Sequence, residues 1–376
     1  MRPLSDLRPK PMIEVAKKPL MEHLLLELKS IGLTDVLILI GYKGNVIRDY
    51  FGDGSQWGLN ITYHQSPENY ETGTRLVAAR ALLSPLFLLL YADNLWPIPF
   101  DAMCAAFRAA GTRAMLTVYR NDDHYSRSNC TMNNGLVSLY NKSRTAPDLT
   151  HVDIGFLFIE RDVIDGLPKE NHNLEAVLYP QLAAAHQLAA FETEHRYYSA
   201  TSPDRLPRVE AYLNPRKTVF LDRDGVLNDK PPQAHYVCQW KDFHWRPGAR
   251  EALRFLRERN CRVIVISNQA GIARGMMTHD DAQDIHTRMA REAEAEDGFI
   301  DAIYYCPHHW DENCSCRKPK PGMLLAAQRD FSLNLSRCLF IGDDIRDGEA
   351  ADAAHCPFRL VGEEDNLFDV VNNLVD

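Results

Sequence analysis

No stretch of this 376-residue sequence approaches the roughly 20 apolar residues that a membrane-spanning helix needs. The run Leu86-Phe87-Leu88-Leu89-Leu90 is far too short, so no membrane partner is expected. The opening MRPLSDLRPKPMIEV lacks the apolar core of a secretory signal. Basic charge is not in excess: 42 Lys and Arg stand against 51 Asp and Glu, a net charge of −9. That argues against a nucleic-acid binder, which would show a basic face. It leaves room for local basic clusters that hold small anions. Cysteine is also sparse, nine residues, which rules out a small disulfide scaffold. The expected compartment is the cytoplasm, with thiols reduced. There is no internal repeat and no low-complexity tract, and nothing bears on oligomeric state.

What is there is an ordinary globular composition, 45% hydrophobic and 25% charged. At roughly 150 residues per domain, the length suggests two domains. In the first half, Leu20, Leu24, Leu28 and Ile31 mark one face of a helix, with Gly32 as its C-terminal stop. Val36 to Ile40 and Phe87 to Tyr91 read as strands, the latter ending in Ala92-Asp93-Asn94. This alternation predicts a mostly parallel sheet covered by helices. The stretch SPDRLPRVEAYLNPRK reads as a short helix and a linker. A second α/β pattern then starts afresh. Its strands are Thr218 to Leu221, Arg262 to Ile266 and Cys338 to Ile341, and Ala249, Ala252, Leu253 and Leu256 form a helical stripe. The predicted domains are 1–214 and 215–376.

Each of those three later strands ends in a polar cluster: Asp222-Arg223-Asp224-Gly225, Ser267-Asn268-Gln269 and Gly342-Asp343-Asp344. In an open parallel sheet, ligands bind beyond the carboxyl ends of the strands. Carboxylates brought together there repel one another, so a cation is needed. Hard oxygen ligands favour Mg²⁺, which also neutralises a phosphate and steers it toward a nucleophile. DRDG alone would be an unremarkable surface turn. Three clusters in this order, each after a strand, are not.

These residues resemble the haloacid dehalogenase superfamily of phosphatases. LDRDGVLN is similar to its first motif, ISNQAGIARG to its second, CRKPKPGM to its third and IGDD to its fourth. The branch resembled is that of the heptose bisphosphate phosphatases and histidinol-phosphate phosphatases. The resemblance implies Asp222 as a nucleophile forming an aspartyl-phosphate, and Asp224 as general acid and then base. It implies Ser267 and Lys318 as holders of the phosphoryl oxygens. Mg²⁺ would be bound by Asp222, Asp343 and the backbone carbonyl of Asp224. Asn268, Gln269, Arg274 and Arg317 are candidate substrate contacts, and guanidinium grips phosphate in a bidentate way. The heptose bisphosphate phosphatases it resembles carry lysine just after the fourth-motif aspartate, where this chain has Asp344. The branch has no large cap domain. The spans from Asn228 to Arg246 and from Gly275 to Ala302 leave little room for one, so short loops are expected to select the substrate.

The stretch CPHHWDENCSCRKPKPG, from Cys306 to Gly322, crowds thiols and imidazoles beside Arg317 and Lys318. Its spacing, C-x-H, five residues, then C-x-C, offers Cys306, His308, Cys314 and Cys316. Four such ligands suit a closed tetrahedral Zn²⁺ site, and the same phosphatase branch carries a zinc loop of this pattern. His309 matches no ligand position. The zinc is expected to be structural, pinning a loop that has little apolar content.

The first half resembles a sugar-1-phosphate nucleotidyltransferase. RPLSDLRPKPMIEVAKKPLMEHLL, GYKGNVIRDYFGDGSQWGLNITY and the strand-end YADN carry the likeness over about residues 2–214. Lys10 matches a phosphate-contacting lysine and Asp93 one metal aspartate. In that family a glycine-rich nucleotide loop precedes the Arg-Pro pair; here the chain begins at Met1-Arg2-Pro3. Gly73-Thr74-Arg75-Leu76 matches a later, sugar-side turn. The second metal aspartate is expected in Ser199-Ala200-Thr201-Ser202-Pro203-Asp204, where Ser199 stands in its place. Either the start is truncated or the domain has lost transfer activity and remains as a scaffold; truncation alone does not explain Ser199, so the domain is expected to be degenerate.

The expected fold is α/β: a nucleotidyltransferase-like, Rossmann-type sheet followed by a doubly wound parallel sheet without a large cap. The expected activity is Mg²⁺-dependent removal of one phosphate from a sugar bisphosphate, a D-glycero-D-manno-heptose 1,7-bisphosphate giving the 1-phosphate, for nucleotide-heptose and surface-polysaccharide synthesis. Three alternatives stand beside it. They are a histidinol-phosphate phosphatase, a bifunctional phosphatase and nucleotidyltransferase, and a non-catalytic sugar-nucleotide sensor.

Overall fold

A computed structural model describes residues 8–232 and 234–375. Residues 2–7 of the nucleotidyltransferase-like opening lie outside them. The chain divides into two compact units, one ending at Leu213 and the other beginning at Asn214.

In the first unit, the helix Leu20–Ser30 buries Leu20, Leu24, Leu25 and Leu28. It stops where Gly32 takes φ +81°, and the Leu33 amide returns to the Leu28 carbonyl at 2.9 Å, a glycine-terminated cap. Strands Asp35–Ile40 and Asn60–Gln65 pair in parallel. The main sheet has six strands and is mixed rather than mostly parallel. His151–Glu160 runs antiparallel to both Leu86–Leu90 and Ala114–Arg120, while Leu188–Thr193 runs parallel to Ala114–Arg120. One cause of the mixing is legible locally. Asn134 and Gly135 have φ +48° and +77° and join Cys130–Asn133 to Leu136–Tyr140 as an antiparallel hairpin. Two consecutive positive φ values are what a tight hairpin turn requires, and Asn-Gly supplies them. Farther along, Leu206–Leu213 is the short helix expected in the Pro-rich stretch.

The second unit is built as β1 (Thr218–Leu221), α1 (Ala249–Glu258), β2 (Arg262–Asn268), α2 (His279–Ala295), β3 (Ala302–Cys306), α3 (Gly322–Phe331), β4 (Leu339–Gly342), α4 (Ile345–Ala353), β5 (Phe358–Leu360) and α5 (Leu367–Val375). The strands form one sheet in the order β3-β2-β1-β4-β5, and every pair is parallel. Strands buried on both faces read as continuous apolar runs, and β1 and β2 are such runs. The helix α1 lays Ala249, Ala252, Leu253 and Leu256, all fully buried, on the sheet. The order runs outward from β1 to β3, then resumes on the other side at β4. The switch therefore falls between β1 and β4, where an open α/β sheet binds its ligand. Among the described residues between Asn228 and Arg246 the only helical piece is a turn at Trp240–Asp242, and α2 takes up most of the span from Gly275 to Ala302. Among the described residues the unit has no large cap.

Candidate active site

Asp222 follows β1 at the switch point, and its amide donates to the Ile341 carbonyl of β4 at 3.0 Å. Its carboxylate Oδ1 accepts the Arg223 amide at 2.7 Å and the Lys318 ammonium at 2.9 Å. Lys318 is buried, with 3% exposure. Its Nζ also meets Asp347 Oδ1 at 2.7 Å and donates to the Ile266 carbonyl at 3.0 Å. Three acceptors for three N–H bonds leave this buried ammonium fully satisfied. Its backbone is fixed as well. The Asn268 side chain donates to the Lys318 carbonyl and accepts the Lys318 amide, both at 3.1 Å. That reciprocal pair ties the end of β2 to the loop before α3.

Asp347 was not singled out in the sequence, and the structure brings it into the site. It occupies the third position of α4, with Asp344 as the N-cap. Its Oδ2 accepts the amides of Asp343 and Asp344 at 3.2 and 3.1 Å, leaving Oδ1 for Lys318. The signal was a second aspartate four residues after Asp343, indistinguishable in sequence from an ordinary helix-start acid. Asp344 is held by its own helix. It accepts the Arg346 amide at 3.0 Å and the Arg346 guanidinium at 2.9 and 2.8 Å.

Oxygen atoms of Asp222, Asp343 and Asp347 lie within 4.8 Å of one another. Burial pushes the Asp222 carboxyl up to about 7 against the pull of Lys318, and the Asp347 charge pushes it the same way. Burial likewise raises Asp343, against Lys230. Buried carboxylates with raised affinity for protons are short of positive charge, and this oxygen-only donor set fits a hard divalent cation such as Mg²⁺. Gly225 makes the crowding feasible: it has φ +92°, and a side-chain carbon there would collide with the Asp343 carboxylate.

Asp224 faces a different environment. Arg223, with no exposed surface, donates to both its oxygens at 2.8 and 2.9 Å. Asn228 adds a bond at 3.0 Å and Gln269 one at 2.9 Å. Burial alone would raise this carboxyl, but the Arg223 guanidinium and these bonds hold it below the usual range. Gln269 also donates to the buried Ser267 hydroxyl at 2.8 Å. Asp222, Asp224, Ser267, Asn268, Gln269, Lys318 and Asp343 therefore converge. Arg274 is exposed, with its guanidinium 5.8 Å from the Tyr236 ring. Arg317 reaches the His308 carbonyl at 3.4 Å. Neither joins the carboxylates. Arg223, Asn228 and Lys230 also touch the site, beyond the residues to which its sequence motifs assign a role.

Behind Arg223 lies His286, 3% exposed, with Nε2 at 3.4 Å from an Arg223 nitrogen. Burial and then the Arg223 charge depress its pKa to about 3. A histidine that stays neutral in the folded chain but protonates near 6.5 when unfolded binds more protons in the unfolded state. Stability should thus be intact above about pH 6.5 and fall as pH drops toward 3, by a few kcal/mol at most. Denaturant titrations at pH 7 and pH 4.5 should show that His286→Gln loses less stability between them than wild type does.

The zinc candidates also come together. Cys306 ends β3 and is buried. Its Sγ lies 3.6 Å from Cys314 Sγ and 3.5 Å from His308 Nδ1. Cys316 Sγ lies 3.2 Å from His308 Nδ1 and 3.5 Å from Cys314 Sγ. Zn–S bonds of 2.3 Å in a tetrahedron put the sulfurs about 3.8 Å apart, so the spacing suits that ion. None of the three cysteines is spent on a disulfide. His309 turns away, with its amide on Glu312 at 2.6 Å and its ring nitrogen on Asp311.

In the first unit, Lys10 is exposed. Asp93 is raised by burial, against the Lys10 charge, so the two sit within electrostatic reach. Ser199 pairs with Asn94 across two short strands, and the Ala200 amide donates to the Asp93 carbonyl at 2.8 Å. The serine thus stands beside Asp93, at the position where the resemblance to nucleotidyltransferases leads one to expect a second carboxylate. Gly73 to Leu76 lie within the helix Thr72–Ala78. There Arg75 donates to the carbonyls of Ile40, Pro67, Glu68 and Tyr70.

Residues 233–355 match the haloacid dehalogenase-like hydrolases, and residues 1–146 match the nucleotidyl transferases. The D-glycero-beta-D-manno-heptose-1,7-bisphosphate 7-phosphatase of Rhodopseudomonas palustris is 38% identical over 161 residues, covering 41% of this chain and 88% of that protein. The D-glycero-alpha-D-manno-heptose-1,7-bisphosphate 7-phosphatase of Campylobacter jejuni is 43% identical over 135 residues, 36% of this chain and 75% of that one. A solved structure from Bacillus anthracis, provisionally named a glucose-1-phosphate thymidylyltransferase, covers 56% of this chain and 89% of its own. Its TM-score is 0.51 and its identity 16%, a likeness of fold.

Proposed function

The chain belongs to the haloacid dehalogenase-like hydrolases, phosphatases that work through an aspartyl-phosphate, and from that premise we propose that it converts D-glycero-D-manno-heptose 1,7-bisphosphate to the 1-phosphate. The observation that carries this reading is the buried Asp222–Lys318 pair at the switch between β1 and β4. It sits in a chain 38% identical to a heptose-1,7-bisphosphate 7-phosphatase over most of that enzyme's length. In this reading residues 215–376 carry the phosphatase, and 1–214 a nucleotidyltransferase-like domain.

Asp222 is the nucleophile. One of its carboxylate oxygens forms a bond to phosphorus as the bond to the sugar oxygen breaks. Lys318 and the Ser267 hydroxyl hold the phosphoryl oxygens, where fixed donors act most strongly. Asp224 gives its proton to the leaving alkoxide. It then takes a proton from the water that attacks phosphorus and releases inorganic phosphate from Asp222. The three side chains on Asp224, those of Arg223, Asn228 and Gln269, favour its ionised form, the base of the second step. For the first step, the incoming sugar oxygen must draw a protonated Asp224 away from Arg223. Asp222, Asp343 and the Asp224 carbonyl would hold Mg²⁺, which supplies charge neutralisation and in-line orientation. Asp347 keeps Lys318 in place. Cys306, His308, Cys314 and Cys316 would hold a structural Zn²⁺ that fixes the chain leading into Arg317 and Lys318. Arg317 and Arg274 remain candidate contacts for the second phosphate, with Asn268 and Gln269 lining the floor.

The test is phosphate release from both anomers of the heptose 1,7-bisphosphate and from histidinol phosphate. Turnover at least tenfold faster on one heptose anomer supports the reading, whereas preference for histidinol phosphate replaces it. The first domain should not transfer nucleotides, because Ser199 cannot supply the second carboxylate for a catalytic metal. Incubation with heptose 1-phosphate, Mg²⁺ and each nucleoside triphosphate should release no pyrophosphate. Sustained release beyond one equivalent per chain would overturn this assignment and make the protein bifunctional.

A further inference from the structure

We propose that Lys230 is a substrate-binding residue with two successive partners: Asp343 before the divalent cation binds, and the non-reacting anionic end of the substrate afterward. The substrate half of this inference rests on the bisphosphate reading above.

Three carboxylates meet at the switch point, and Lys318 satisfies two of them, Asp222 and Asp347. The third, Asp343, has its own ammonium: Lys230 Nζ lies 2.7 Å from Asp343 Oδ2. Asp344 Oδ2 is farther, at 3.9 Å, and its charge already belongs to Arg346. The claim of Lys230 is therefore on Asp343. The two partners differ sharply in exposure, 48% for the lysine side chain and 9% for the aspartate. The lysine enters from solvent, at the rim, while its partner is an inner wall.

The backbone under Lys230 is pinned. Asn228 bridges to Trp245, and the Asp229 amide donates to the His244 carbonyl at 2.9 Å. Pro231 and Pro232 follow at once, each with φ locked by its ring. A compact ammonium on a flexible four-carbon stem thus stands on a stiff base, and only the side chain can swing. When a divalent cation takes Asp343, the attraction on Lys230 weakens. The ammonium is then left at the mouth of a site whose floor holds the transferred phosphoryl group. A second phosphate on the same sugar is the anion it can meet there. Before the cation arrives, the same ammonium covers a carboxylate that would otherwise be buried without a partner, and so competes with the metal.

The test uses the full chain dialysed free of Mg²⁺, with Mg²⁺ alone as the titrant. By calorimetry, Lys230→Met should bind Mg²⁺ about two- to fivefold more tightly than wild type, the scale of a half-exposed ion pair. On the heptose bisphosphate, its KM should rise by about tenfold or more, as for a lost charged hydrogen bond, and rise more than kcat falls. On p-nitrophenyl phosphate, which has no second anion, the rise in KM should be much smaller. Lys230→Arg should recover KM on the bisphosphate. Unchanged Mg²⁺ affinity overturns the counter-ion role, and an equal rise in KM on both substrates overturns the substrate role. If wild type releases no phosphate from any sugar bisphosphate, the bisphosphate reading fails by itself. The Mg²⁺ titration then upholds or overturns the Asp343 pairing alone.

Discussion

Asp222→Asn is expected to leave a folded protein with phosphatase turnover reduced on the order of 10⁵-fold or more, the scale seen when a covalent nucleophile is removed. An amide cannot form the acyl phosphate. Folding should survive, because Lys318 keeps two of its three acceptors, Asp347 and the Ile266 carbonyl. Removing one of three crowded carboxylates also relieves repulsion. Thermal melts alongside initial rates of phosphate release would measure both effects. Acid-quenched wild type should carry one extra phosphoryl mass on the peptide containing Asp222, absent from the variant. Near-normal turnover in a homogeneous Asp222→Asn sample would place the nucleophile elsewhere. Asp224→Asn should behave less uniformly, since an aryl phosphate needs little help from a general acid and should lose less than a sugar phosphate does.

The second large effect is expected at the Cys306–Cys316 loop. Wild type should contain one zinc per chain, and Cys314→Ser should lose it, with turnover down on the order of 10²-fold, the cost of misplacing a positioned group by about 1 Å. The route is short: Cys316 stands two residues before Lys318. A side-chain carbon at Gly322 would collide with the Ser315 carbonyl, so the loop already lies tightly on the start of α3. The domain should not unfold, because Phe220, Ile266 and Phe340 are packed in a core that needs no metal. Thiolate ligands must be deprotonated, so zinc retention should weaken as pH falls. Elemental analysis with parallel rate measurements decides the matter. Wild type that turns over at full rate without zinc would reduce the four side chains to a polar loop.

Much of this site was legible because its residues follow strands directly. Asp222, Ser267 and Asp343 each come at the end of an apolar run, and a parallel sheet must gather such ends on one edge. The zinc candidates were legible because all four lie within eleven residues, from Cys306 to Cys316. Asp347 was not, since its importance depends on where α4 starts: one helical position aims it at Lys318, and a neighbouring one would not. Lys230 was hidden for a related reason. It reaches Asp343 only because the Asn228–Trp245 bridge folds its loop back over the site, a long-range contact that no local pattern encodes. Arg223 sits inside a motif but reads as a surface charge, and only its complete burial shows it to be the partner that favours an ionised Asp224. In the first unit the strands Asp35–Ile40 and Leu86–Leu90 were recognisable by composition. Their pairing partners were not, because strand direction is settled by turns such as Asn134-Gly135 and by non-local register.

The Asp347 carboxylate has one oxygen on Lys318 and the other on the amides of Asp343 and Asp344. Those two N–H groups therefore act as a built-in gauge of the lysine's occupation. When Lys318 leans toward a phosphoryl group, Asp347 gains negative charge at the oxygen the amides share, and their bonds to it strengthen. Their proton resonances should move downfield and their exchange with solvent should slow as inorganic phosphate is titrated in. The start of α4 would thus let each stage of turnover be followed at two backbone positions, without labelling the substrate.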